Sequence, residues 1–576
     1  MSKHKGFVPV GLREKKERFD CIGMAFVGSI GVASGASARV GAAVGARTNG
    51  CGTACAITPA LGLTRCRTVR GSAHSRSVAK KAWVVSAAVE PTAQVGLVGL
   101  AVMGQNLALN IAEKGFDIAV YNRSYEKTKD TVARAERESL SDKLKGYESV
   151  DDFIAALQKP RKIIMLVKAG APVDATIATL KDKLEPGDMI IDGGNEWYTN
   201  TERRGKEMEE KQIAYIGMGV SGGEEGARYG PSMMPGGPKE AYSFIEPIVT
   251  KVAAQVNDGP CVTYIGPGGA GNYVKMVHNG IEYGDMQLIG EAYDVLSTIG
   301  GLSADQLAST FADWNKGMLD SFLVEITAKI MAQKDTLLND GSALVSKILD
   351  KSGSKGTGMW TMEEAVRRAV PAPTIMAALE ARYLSALKDE RIEAAKVLKG
   401  PEPANAKEKL TVSQEQLVSD VQAALYASKI CSYAQGMNLI RTAANENGWE
   451  LDLGEIARIW KGGCIIRAKF LDRIKAAYVK DSKLPSLLVD PDFAKELESA
   501  QAAWRNVVSL AVQSGIAVPA MSGSISYYDT YRRATLPSSQ MVQAQRDFFG
   551  SHTYQRTDTN GVYHTRWSSD GVTETM

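Results

Sequence analysis

Cysteine is scarce in most of this sequence. The 576 residues contain seven cysteines, and only Cys261, Cys431 and Cys464 follow residue 89. The other four lie in the first 89 residues: Cys21, Cys51, Cys55 and Cys66. Three widely spaced cysteines indicate neither a disulfide framework nor a zinc site. We therefore expect the body of the chain to occupy a reducing compartment.

Long apolar runs are also missing. The longest uncharged run, Asn506–Tyr528, contains five serines and Pro519, which is unlike a membrane-spanning helix. A second uncharged run, Cys21–Ala38, is rich in Gly, Ser and Ala and only weakly apolar. The sequence therefore predicts no membrane association.

Acidic residues are absent from Cys21 to Val89, where six Arg and two Lys are spread among Ser, Ala, Gly and Thr. This composition is typical of an organelle transit peptide, with processing expected near Val84–Ala88. A secretory signal would share the basic start and the semi-apolar run. The Ser-rich, basic stretch that follows and the cysteine usage of the body argue against it.

The length of this segment and its lack of an Arg-rich amphipathic helix favour a plastid, in the chloroplast stroma, over a mitochondrion. Its first twenty residues contain Glu14, Glu17 and Asp20 and fit a transit peptide poorly. An unused upstream start is one interpretation of them. If the whole extension is unused, the protein is expected in the cytosol.

A basic surplus is missing from the body as well. Residues 1–89 carry 14 Lys and Arg against three Asp and Glu, whereas the whole chain has a net charge of +3, so residues 90–576 carry about −8. A mildly acidic body excludes a nucleic-acid-binding role. Its length allows two or three domains with substantial cores.

A dinucleotide-binding pattern begins after residue 93. The apolar run Val95–Val98 leads into Gly99, Leu100, Ala101, Val102, Met103 and Gly104, which is G-x-A-x-x-G before a helical rhythm. In such a turn, backbone N–H groups and a helix N-terminus receive a pyrophosphate. The alternative is a glycine-rich turn without a ligand.

The end of the second predicted strand selects the cofactor. An NAD site usually has an acidic residue there, but this chain has Asn122, Arg123 and Ser124. An amide, a guanidinium and a hydroxyl suit the 2′-phosphate of NADP, which a carboxylate would repel. The sequence therefore predicts NADP.

Strand-like and helix-like segments alternate as far as about Pro267, which predicts a doubly wound parallel sheet. Further strands are expected at Ile163–Val167, Met189–Ile191, Ala214–Met218 and Val262–Ile265. Ligands collect beyond the carboxyl ends of such strands. Three small-residue segments at these ends are candidate anion sites or simple turns: 168–170, 193–195 and 220–223.

Helical periodicity dominates from Asn272 to about Ala534. Within it, Lys275, His278, Asn279 and Glu282 fall at i, i+3, i+4 and i+7, on one helix face. These groups can supply a base, an acid and substrate contacts together. The alternative for such a stripe is a solvated face with a charge pair.

The last residues, from Arg546 on, show no clear period, and such a tail is normally frayed. Its aromatic residues favour packing against something, for which a second subunit is one candidate. The predicted fold is thus α/β plus all-α: a Rossmann-like sheet, a large all-helical domain and a C-terminal tail. The predicted bounds are 1–90 for the transit peptide and 91–268, 269–535 and 536–576 for these parts.

Motifs along residues 93–567 resemble the decarboxylating 6-phosphogluconate dehydrogenase family. They include GLAVMG, NRS, LVKAG, IDGGN, GVSGGEEGARYGPSMMPGG, KMVHNGIEYGDMQ, KGTG, LKDERI, ALYASKI, SYAQG, KGGCIIR and QAQRDFFGSHTY. The resemblance implies oxidation and decarboxylation of 6-phospho-D-gluconate to ribulose 5-phosphate, with NADP as the cofactor, no metal and a homodimer.

The resemblance also implies residue roles. Lys275 would be the general base and Glu282 the acid, with His278 and Asn279 holding substrate hydroxyls. The other implied substrate contacts are Asn195, Ser221, Gly222, Gly223, Tyr283, Lys355, Thr357 and Arg382, with Arg546 and His552 from the partner subunit's tail. The implied cofactor contacts are Gly99 to Gly104, Asn122 to Ser124, Val167, Lys168, Ala169 and Asn195.

The chain departs from the family pattern at Met359, where relatives often have Lys, and at Arg566, where they have Asn. Neither is a catalytic position in the family. Two alternatives stay open at this point. One is a related β-hydroxyacid dehydrogenase for a small unphosphorylated acid, although such relatives are shorter and lack Arg382 and the Arg546 and His552 pair. The other is a non-catalytic NADP-binding sensor.

Overall fold

A seven-stranded sheet organises the first part of the computed structural model, which describes residues 90–576. The predicted transit peptide lies outside the described residues, apart from Glu90. The strands are β1 Val95–Val98, β2 Ile118–Tyr121, β3 Leu144–Tyr147, β4 Lys162–Met165, β5 Met189–Asp192, β6 Ala214–Val220 and β7 Met233–Gly236. Their order in the sheet is β3-β2-β1-β4-β5-β6-β7, with β1 to β6 parallel and β7 antiparallel.

Helices cover both faces of this sheet. They are α1 Val102–Glu113, α2 Tyr125–Arg137, α3 Val150–Ala155, α4 Ala171–Leu180, α5 Tyr198–Glu209, α6 Gly223–Tyr229 and α7 Lys239–Val252. Successive strand side chains point to opposite faces, so Ile164 packs with α1, α6 and α7 while Ile163 packs with α3, α4 and α5. This arrangement confirms the doubly wound fold.

The end of the sheet differs from the prediction. Residues 262–265 form no strand; Val262 and Gly266 each make a single bridge, to Met233 and Gly236. Pro235 of β7 lies between these bridges and has no N–H to continue the ladder. The antiparallel strand β7 and the edge strand β3 were not predicted, because β3 (Leu-Lys-Gly-Tyr) has no apolar run and β7 contains a proline.

The second part is helical, as predicted. Its helices are α8 Ala270–Asp294, α9 Ala304–Trp314, α10 Phe322–Ala332, α11 Thr357–Arg367, α12 Pro373–Ala386, α13 Lys388–Val397, α14 Gln414–Asn447, α15 Leu453–Ile459, α16 Leu471–Lys480, α17 Pro491–Gln513, α18 Pro519–Tyr531 and α19 Pro537–Gly550. A π-helical turn, Val295–Ile299, extends α8, and a short antiparallel pair, β8 Gln255–Val256 and β9 Gly259–Pro260, precedes it. No helix in residues 90–576 has the length and apolarity that a bilayer crossing requires.

The centre of the helical part is formed by α8 and α14. Both are buried along most of their length, and α8 packs against α11, α12 and α14 on one side and β6 and β7 on the other. Residues 90–576 belong to one compact unit. The predicted division at residues 268 and 269 therefore stays a prediction, with α8 in contact across it.

The tail is more ordered than predicted. Beyond α19, the strands β10 Tyr563–Thr565 and β11 Thr573–Thr575 pair antiparallel, and Tyr554 and Tyr563 exchange two backbone hydrogen bonds of 2.8 Å. The expectation of a frayed tail is wrong for these residues. The segments are too short to show a period in the sequence.

Candidate active site

Two glycines of β6 set the position of α8. A Cβ atom on Gly217 would lie 2.0 Å from Asn272 Oδ1, and one on Gly219 would lie 2.3 Å from Lys275 Cβ. Such separations are far below van der Waals contact, so the helix lies directly on the strand backbone with no side chain between them. Lys275 is thereby placed beside the carboxyl end of β6, where ligands of this fold collect.

The polar face of α8 is buried. Lys275 is 5% exposed and His278 is fully buried, so the interpretation as a solvated stripe is wrong. Lys275 Nζ donates a hydrogen bond of 2.8 Å to Asn279 Oδ1 and lies 3.4 Å from His278 Nδ1. The helical spacing predicted that these side chains share one face, and the structure brings Lys275, His278 and Asn279 into contact there.

His278 is held as a neutral ring. Burial, and then the neighbouring Lys275, place the pKa of His278 well below its usual value. Its Nδ1 lies 3.0 Å from Asn279 Oδ1 and its Nε2 lies 3.3 Å from Ser221 Oγ. A neutral imidazole that donates to Asn279 from Nδ1 has Nε2 free to accept from the Ser221 hydroxyl.

The two proton-transfer candidates are shifted in opposite directions. Burial lowers the pKa of Lys275 to about 8, against the opposing effect of the Glu282 carboxylate. Burial raises the pKa of Glu282, although Lys275 and the Arg382 guanidinium lower it. Each group is therefore closer to its less usual form, a neutral amine and a neutral carboxylic acid.

The turn after β6 approaches this face. Ser221 is buried, Gly222 has φ of 109° and Gly223 has φ of 62°, so both glycines occupy conformations that other residues rarely adopt. A Cβ on Gly222 would lie 2.5 Å from the carbonyl oxygen of Gly463. The turn thus places the Ser221 hydroxyl against His278, just before the start of α6.

A set of cationic and hydroxyl groups surrounds the other end of the polar face. Asn279 Nδ2 donates to Thr357 Oγ1 at 3.3 Å, and the Arg382 guanidinium stacks 3.5 Å above the ring centre of Tyr283. Lys355 is exposed, and its charge lowers the pKa of Glu282, as that of Arg382 does. Neither Lys355 nor Arg382 takes part in an ion pair among residues 90–576, so both charges are available to an anion.

The predicted dinucleotide turn lies at the switch point of the sheet, between β1 and β4. A cleft of about 620 Å³ is lined there by seven predicted residues. They are Gly99, Ala101, Asn122, Arg123, Ser124, Val167 and Lys168. A Cβ on Gly104 would lie 1.8 Å from Gly99 O, so this position requires glycine.

The remaining turn residues shape this cleft. Leu100 is buried and donates its N–H to Asn122 Oδ1 at 3.0 Å. Val102 and Met103 begin α1, whose first turn contains no acidic residue. Arg123 is exposed and forms no ion pair in the described part of the chain. The cleft therefore fits a dinucleotide with an additional phosphate.

A buried arginine that the sequence did not reveal connects two of the predicted segments. Arg204 donates to Glu196 Oε2 at 2.6 Å and to Gly170 O at 3.1 Å, while Glu196 Oε2 accepts from Gly170 N at 2.8 Å. The predicted residues Ala169 and Asn195 immediately precede Gly170 and Glu196, which these hydrogen bonds hold in place. An acidic and a basic residue eight positions apart gave no signal of this contact.

Arg546 and His552 lie on the tail and are not brought to α8 within one chain. Arg546 Nη1 donates to Gln543 Oε1 at 3.0 Å, and the His552 ring packs edge-on against Phe549. Among residues 90–576, neither forms a hydrogen bond or an ion pair with the α8 polar face. A larger cavity, of about 900 Å³ beside α5, contains none of the predicted residues.

Comparison with known proteins matches both parts of the chain. Residues 94–266 match the NAD binding domain of 6-phosphogluconate dehydrogenase, and residues 271–567 match the 6-phosphogluconate dehydrogenase C-terminal domain. The chain is 64% identical to 6-phosphogluconate dehydrogenase, decarboxylating 2, of Arabidopsis thaliana, over 83% of this chain and 98% of the relative. It is 62% identical to the chloroplastic decarboxylating form 3 of that plant, over 82% and 97%.

A solved structure agrees with these relatives. The 6-phosphogluconate dehydrogenase of Plasmodium falciparum, described as an apo form and as complexes with NADP+ and with 6-phosphogluconate, is 50% identical. It superposes with a TM-score of 0.77 and covers 82% of this chain and 100% of its own. The predicted resemblance is confirmed: the chain belongs to the 6-phosphogluconate dehydrogenase family.

Proposed function

We propose that the chain oxidises and decarboxylates 6-phospho-D-gluconate to D-ribulose 5-phosphate and CO2, with reduction of NADP to NADPH. The observation that carries this proposal is that the buried Lys275 and the partly buried Glu282 share one face of α8 and have pKa values shifted in opposite directions. Oxidation of an alcohol needs a base, and the protonation that follows decarboxylation needs an acid. One helix face supplies both.

NADP supplies the hydride acceptor when it is bound. The cleft at the switch point fits it, because Gly104 leaves no room for a side chain beside Gly99 and the first turn of α1 has no carboxylate. The turn would hold the pyrophosphate, and Arg123 with Asn122 and Ser124 would hold the 2′-phosphate and ribose. Val167, Lys168 and Ala169 would line the rest of the pocket, and Asn195 would contact cofactor and substrate.

Lys275 acts as the general base. With its pKa near 8, a substantial fraction of Lys275 is neutral at slightly alkaline pH and can take the proton of the substrate 3-hydroxyl as hydride leaves C3. The protonated amine can return this proton to the keto oxygen while CO2 leaves, which gives an enediol. His278 and Asn279 hold substrate hydroxyls, and Asn279 also orients the amine.

Glu282 acts as the acid. Burial raises its pKa and so favours the protonated carboxyl, which can protonate C1 of the enediol while Lys275 takes the proton of the C2 hydroxyl, giving the ketose. The turn of Ser221, Gly222 and Gly223 lies near the substrate carboxylate, where its backbone N–H groups suit an anion.

The substrate phosphate is bound by Tyr283, Lys355, Thr357 and Arg382. Arg546 and His552 complete this set from the tail of a second subunit, so the working enzyme is a homodimer with shared sites. Exposed apolar side chains on the tail support this assembly, among them Phe548 at 59% and Phe549 at 72% exposure.

The enzyme is located in the plastid stroma, and residues 1–90 are its transit peptide. The transit-like composition of this segment supports the location, as does the similarity of the remainder to relatives named chloroplastic. The body divides into a cofactor domain (91–268), a helical domain (269–535) and the tail (536–576). Mass spectrometry of the native protein tests whether this transit peptide is removed. A native N-terminus before residue 20 would contradict the proposed location.

The decisive assay follows NADPH absorbance and CO2 release when the purified protein is given 6-phosphogluconate and NADP. Both products are expected in equal amounts. Gluconate and 3-hydroxyisobutyrate serve as unphosphorylated controls and are expected to react far more slowly, because they leave Lys355 and Arg382 without an anion. Binding of NADP without reduction would identify a non-catalytic sensor and contradict the proposal.

A further inference from the structure

The tail contains one fully buried carboxylate, that of Asp547. It lies near the end of α19, between residues that are exposed. Its two oxygens accept four hydrogen bonds. Oδ1 accepts from Thr553 N and His564 Nδ1, both at 2.9 Å, and Oδ2 accepts from Thr565 N at 3.0 Å and Trp567 Nε1 at 2.8 Å.

These bonds fold the tail around Asp547. One donor follows the end of α19, and the other three belong to β10 or the residues just after it, so a single side chain joins the helix to the hairpin. Burial alone would raise the pKa of Asp547, but the bonds from His564, Thr565, Trp567 and Thr553 lower it to about 2. The carboxylate is therefore charged at any physiological pH, and the junction is intact there.

The proposed phosphate ligands lie on either side of this junction. Arg546 precedes Asp547 directly, and His552 precedes Thr553, whose N–H Asp547 holds. Gln543 ties the two together, since its side chain accepts from Arg546 and donates to Thr553 O at 2.6 Å. The positions of Arg546 and His552 are thus both fixed relative to the junction around Asp547.

The backbone at His552 is strained in a way that needs this support. Ser551 has φ of 50° and Thr553 has φ of 57°, so two residues with side chains adopt left-handed conformations on either side of the histidine. Such conformations cost free energy and persist only where the surroundings fix them. The bond from Thr553 N to Asp547 is one such constraint.

We propose that Asp547 is a positioning residue that presents Arg546 and His552 as one preformed unit to the substrate phosphate in the partner subunit. This inference rests on the proposed function and names what makes the shared site work. A preformed tail presents the two ligands to the phosphate without the entropic cost of ordering the strained turn at the moment of binding.

The test is Asp547→Asn, which keeps the shape but brings an amide N–H₂ group against two of the donors. Arg546 and His552 contact the phosphate, which does not react, so their misplacement weakens binding equally in the ground and transition states. We expect KM for 6-phosphogluconate to rise roughly 10- to 100-fold, with kcat and KM for NADP within about threefold of wild type. The matched control is Asp558→Asn, an exposed tail carboxylate paired with Arg556, which should leave all three constants unchanged.

A milder variant covers the case in which Asp547→Asn does not fold. His564→Phe removes one of the four donors and is expected to raise KM for 6-phosphogluconate by a smaller factor, about threefold. An unchanged KM in the variant that folds, or a fall in kcat at unchanged KM, would overturn the proposal.

A mixed dimer separates positioning from general damage. Asp547→Asn and Lys275→Met chains carrying different tags are co-expressed, and the mixed dimer is purified by both tags. One of its two sites combines an intact Lys275 with an intact partner tail, so about half of the wild-type rate with a wild-type KM is expected. A mixed dimer whose KM for 6-phosphogluconate is as high as that of the Asp547→Asn parent would overturn the proposal.

The proposed function fails separately from this inference. If the wild-type protein does not reduce NADP with 6-phosphogluconate, the function is wrong. If the wild type is active and Arg546→Ala raises KM for this substrate while Asp547→Asn does not, only the positioning role is wrong.

Discussion

The polar face of α8 and the part of the tail around Asp547 both present charged groups to the same proposed substrate, but they differ in how far those groups are exposed to solvent. On α8, Lys275, His278 and Asn279 are buried between a sheet and a helical core, Glu282 is partly buried, and the pKa values of Lys275 and Glu282 are shifted. In the tail, Arg546 and His552 are exposed, and only the residue that holds them is buried. The first arrangement changes what a side chain can do chemically, and the second changes only where it is.

This difference follows from solvation. Removing water from an amine or a carboxylate disfavours its charged form, and the resulting pKa shift makes proton transfer possible near neutral pH. An exposed guanidinium keeps its charge and its water, so it contributes attraction without changing the reaction. Substitutions on α8 should therefore act on kcat, and substitutions of exposed cations on KM or selectivity.

The largest effect is expected from Lys275→Met. Loss of the general base should lower kcat by roughly 10²- to 10⁴-fold, while the dissociation constant of NADP, measured by fluorescence titration, stays near wild type. Lys275→Arg keeps the charge but cannot lose a proton, so it should be equally inactive. Turnover retained in either variant would remove Lys275 from the base role.

The folded Lys275→Met variant should be more stable than the wild type. The folded protein lowers the Lys275 pKa to about 8, so holding the protonated amine in the core opposes folding below that pH. The opposition disappears as pH rises through the unfolded value near 10.4 and amounts to about 3 kcal/mol at neutral pH. Lys275→Met should therefore unfold at a higher temperature at pH 7, as calorimetry can show; a lower unfolding temperature would argue that packing around Lys275 dominates.

A smaller effect, on a different constant, is expected from Lys355→Met. Loss of one exposed cation near the substrate phosphate should raise KM for 6-phosphogluconate roughly tenfold and leave kcat nearly unchanged. Lys351→Met is the matched control, because Lys351 is also exposed, lies four residues earlier and forms no ion pair among residues 90–576. A fall in kcat at unchanged KM would break the distinction between buried and exposed groups.

Arg123→Asp should change selectivity rather than rate. A carboxylate in place of the exposed guanidinium repels a 2′-phosphate and accepts from a ribose hydroxyl, so the ratio of kcat/KM for NADP over NAD should fall about tenfold or more. Arg137→Asp, at an exposed position on α2, is the control and should not change this ratio. An unchanged ratio in Arg123→Asp would locate selectivity elsewhere.

The pH dependence of the reaction should follow the protonation of Lys275. Because the base must be neutral, kcat/KM for 6-phosphogluconate should be level above about pH 8 and fall up to tenfold per unit below it, so about tenfold at pH 7. KM for NADP, measured in parallel, is not expected to follow this curve. A profile that stays flat down to pH 6 would mean that Lys275 is not the titrating group.

Sequence reasoning predicted what local pattern determines. The turn of Gly99 and Gly104 and the spacing of Lys275 and Glu282 are local features, and both lie where the prediction placed them. The alternation of strand-like and helix-like segments also predicted the two-sided sheet. The pairing of β7 with β6, the absence of a strand at 262–265 and the ordered tail depend on contacts between segments that no local period records.

Within the site, the missed features are contacts over long distances in the sequence. The link from Ser221 to His278, the contact of Asn279 with Thr357 and the clamp of Arg204 on Gly170 join segments up to 78 residues apart. Residue types alone do not reveal such pairs. Tertiary contacts thus set the relative placement of the site residues, even where the residues themselves can be identified from the sequence.

The contact of β6 with α8 has a consequence for recombining this protein with its relatives. Gly217 and Gly219 on the sheet side face Asn272 and Lys275 on the helix side, and neither pair tolerates an added methyl group. A chimera that takes residues up to 268 from one parent and the remainder from another keeps this contact only where both parents carry residues that fit it. A crossover placed after α8 would take both the β6 glycines and the α8 residues from the same parent. The segment that should be exchanged as a unit is therefore larger than the cofactor domain.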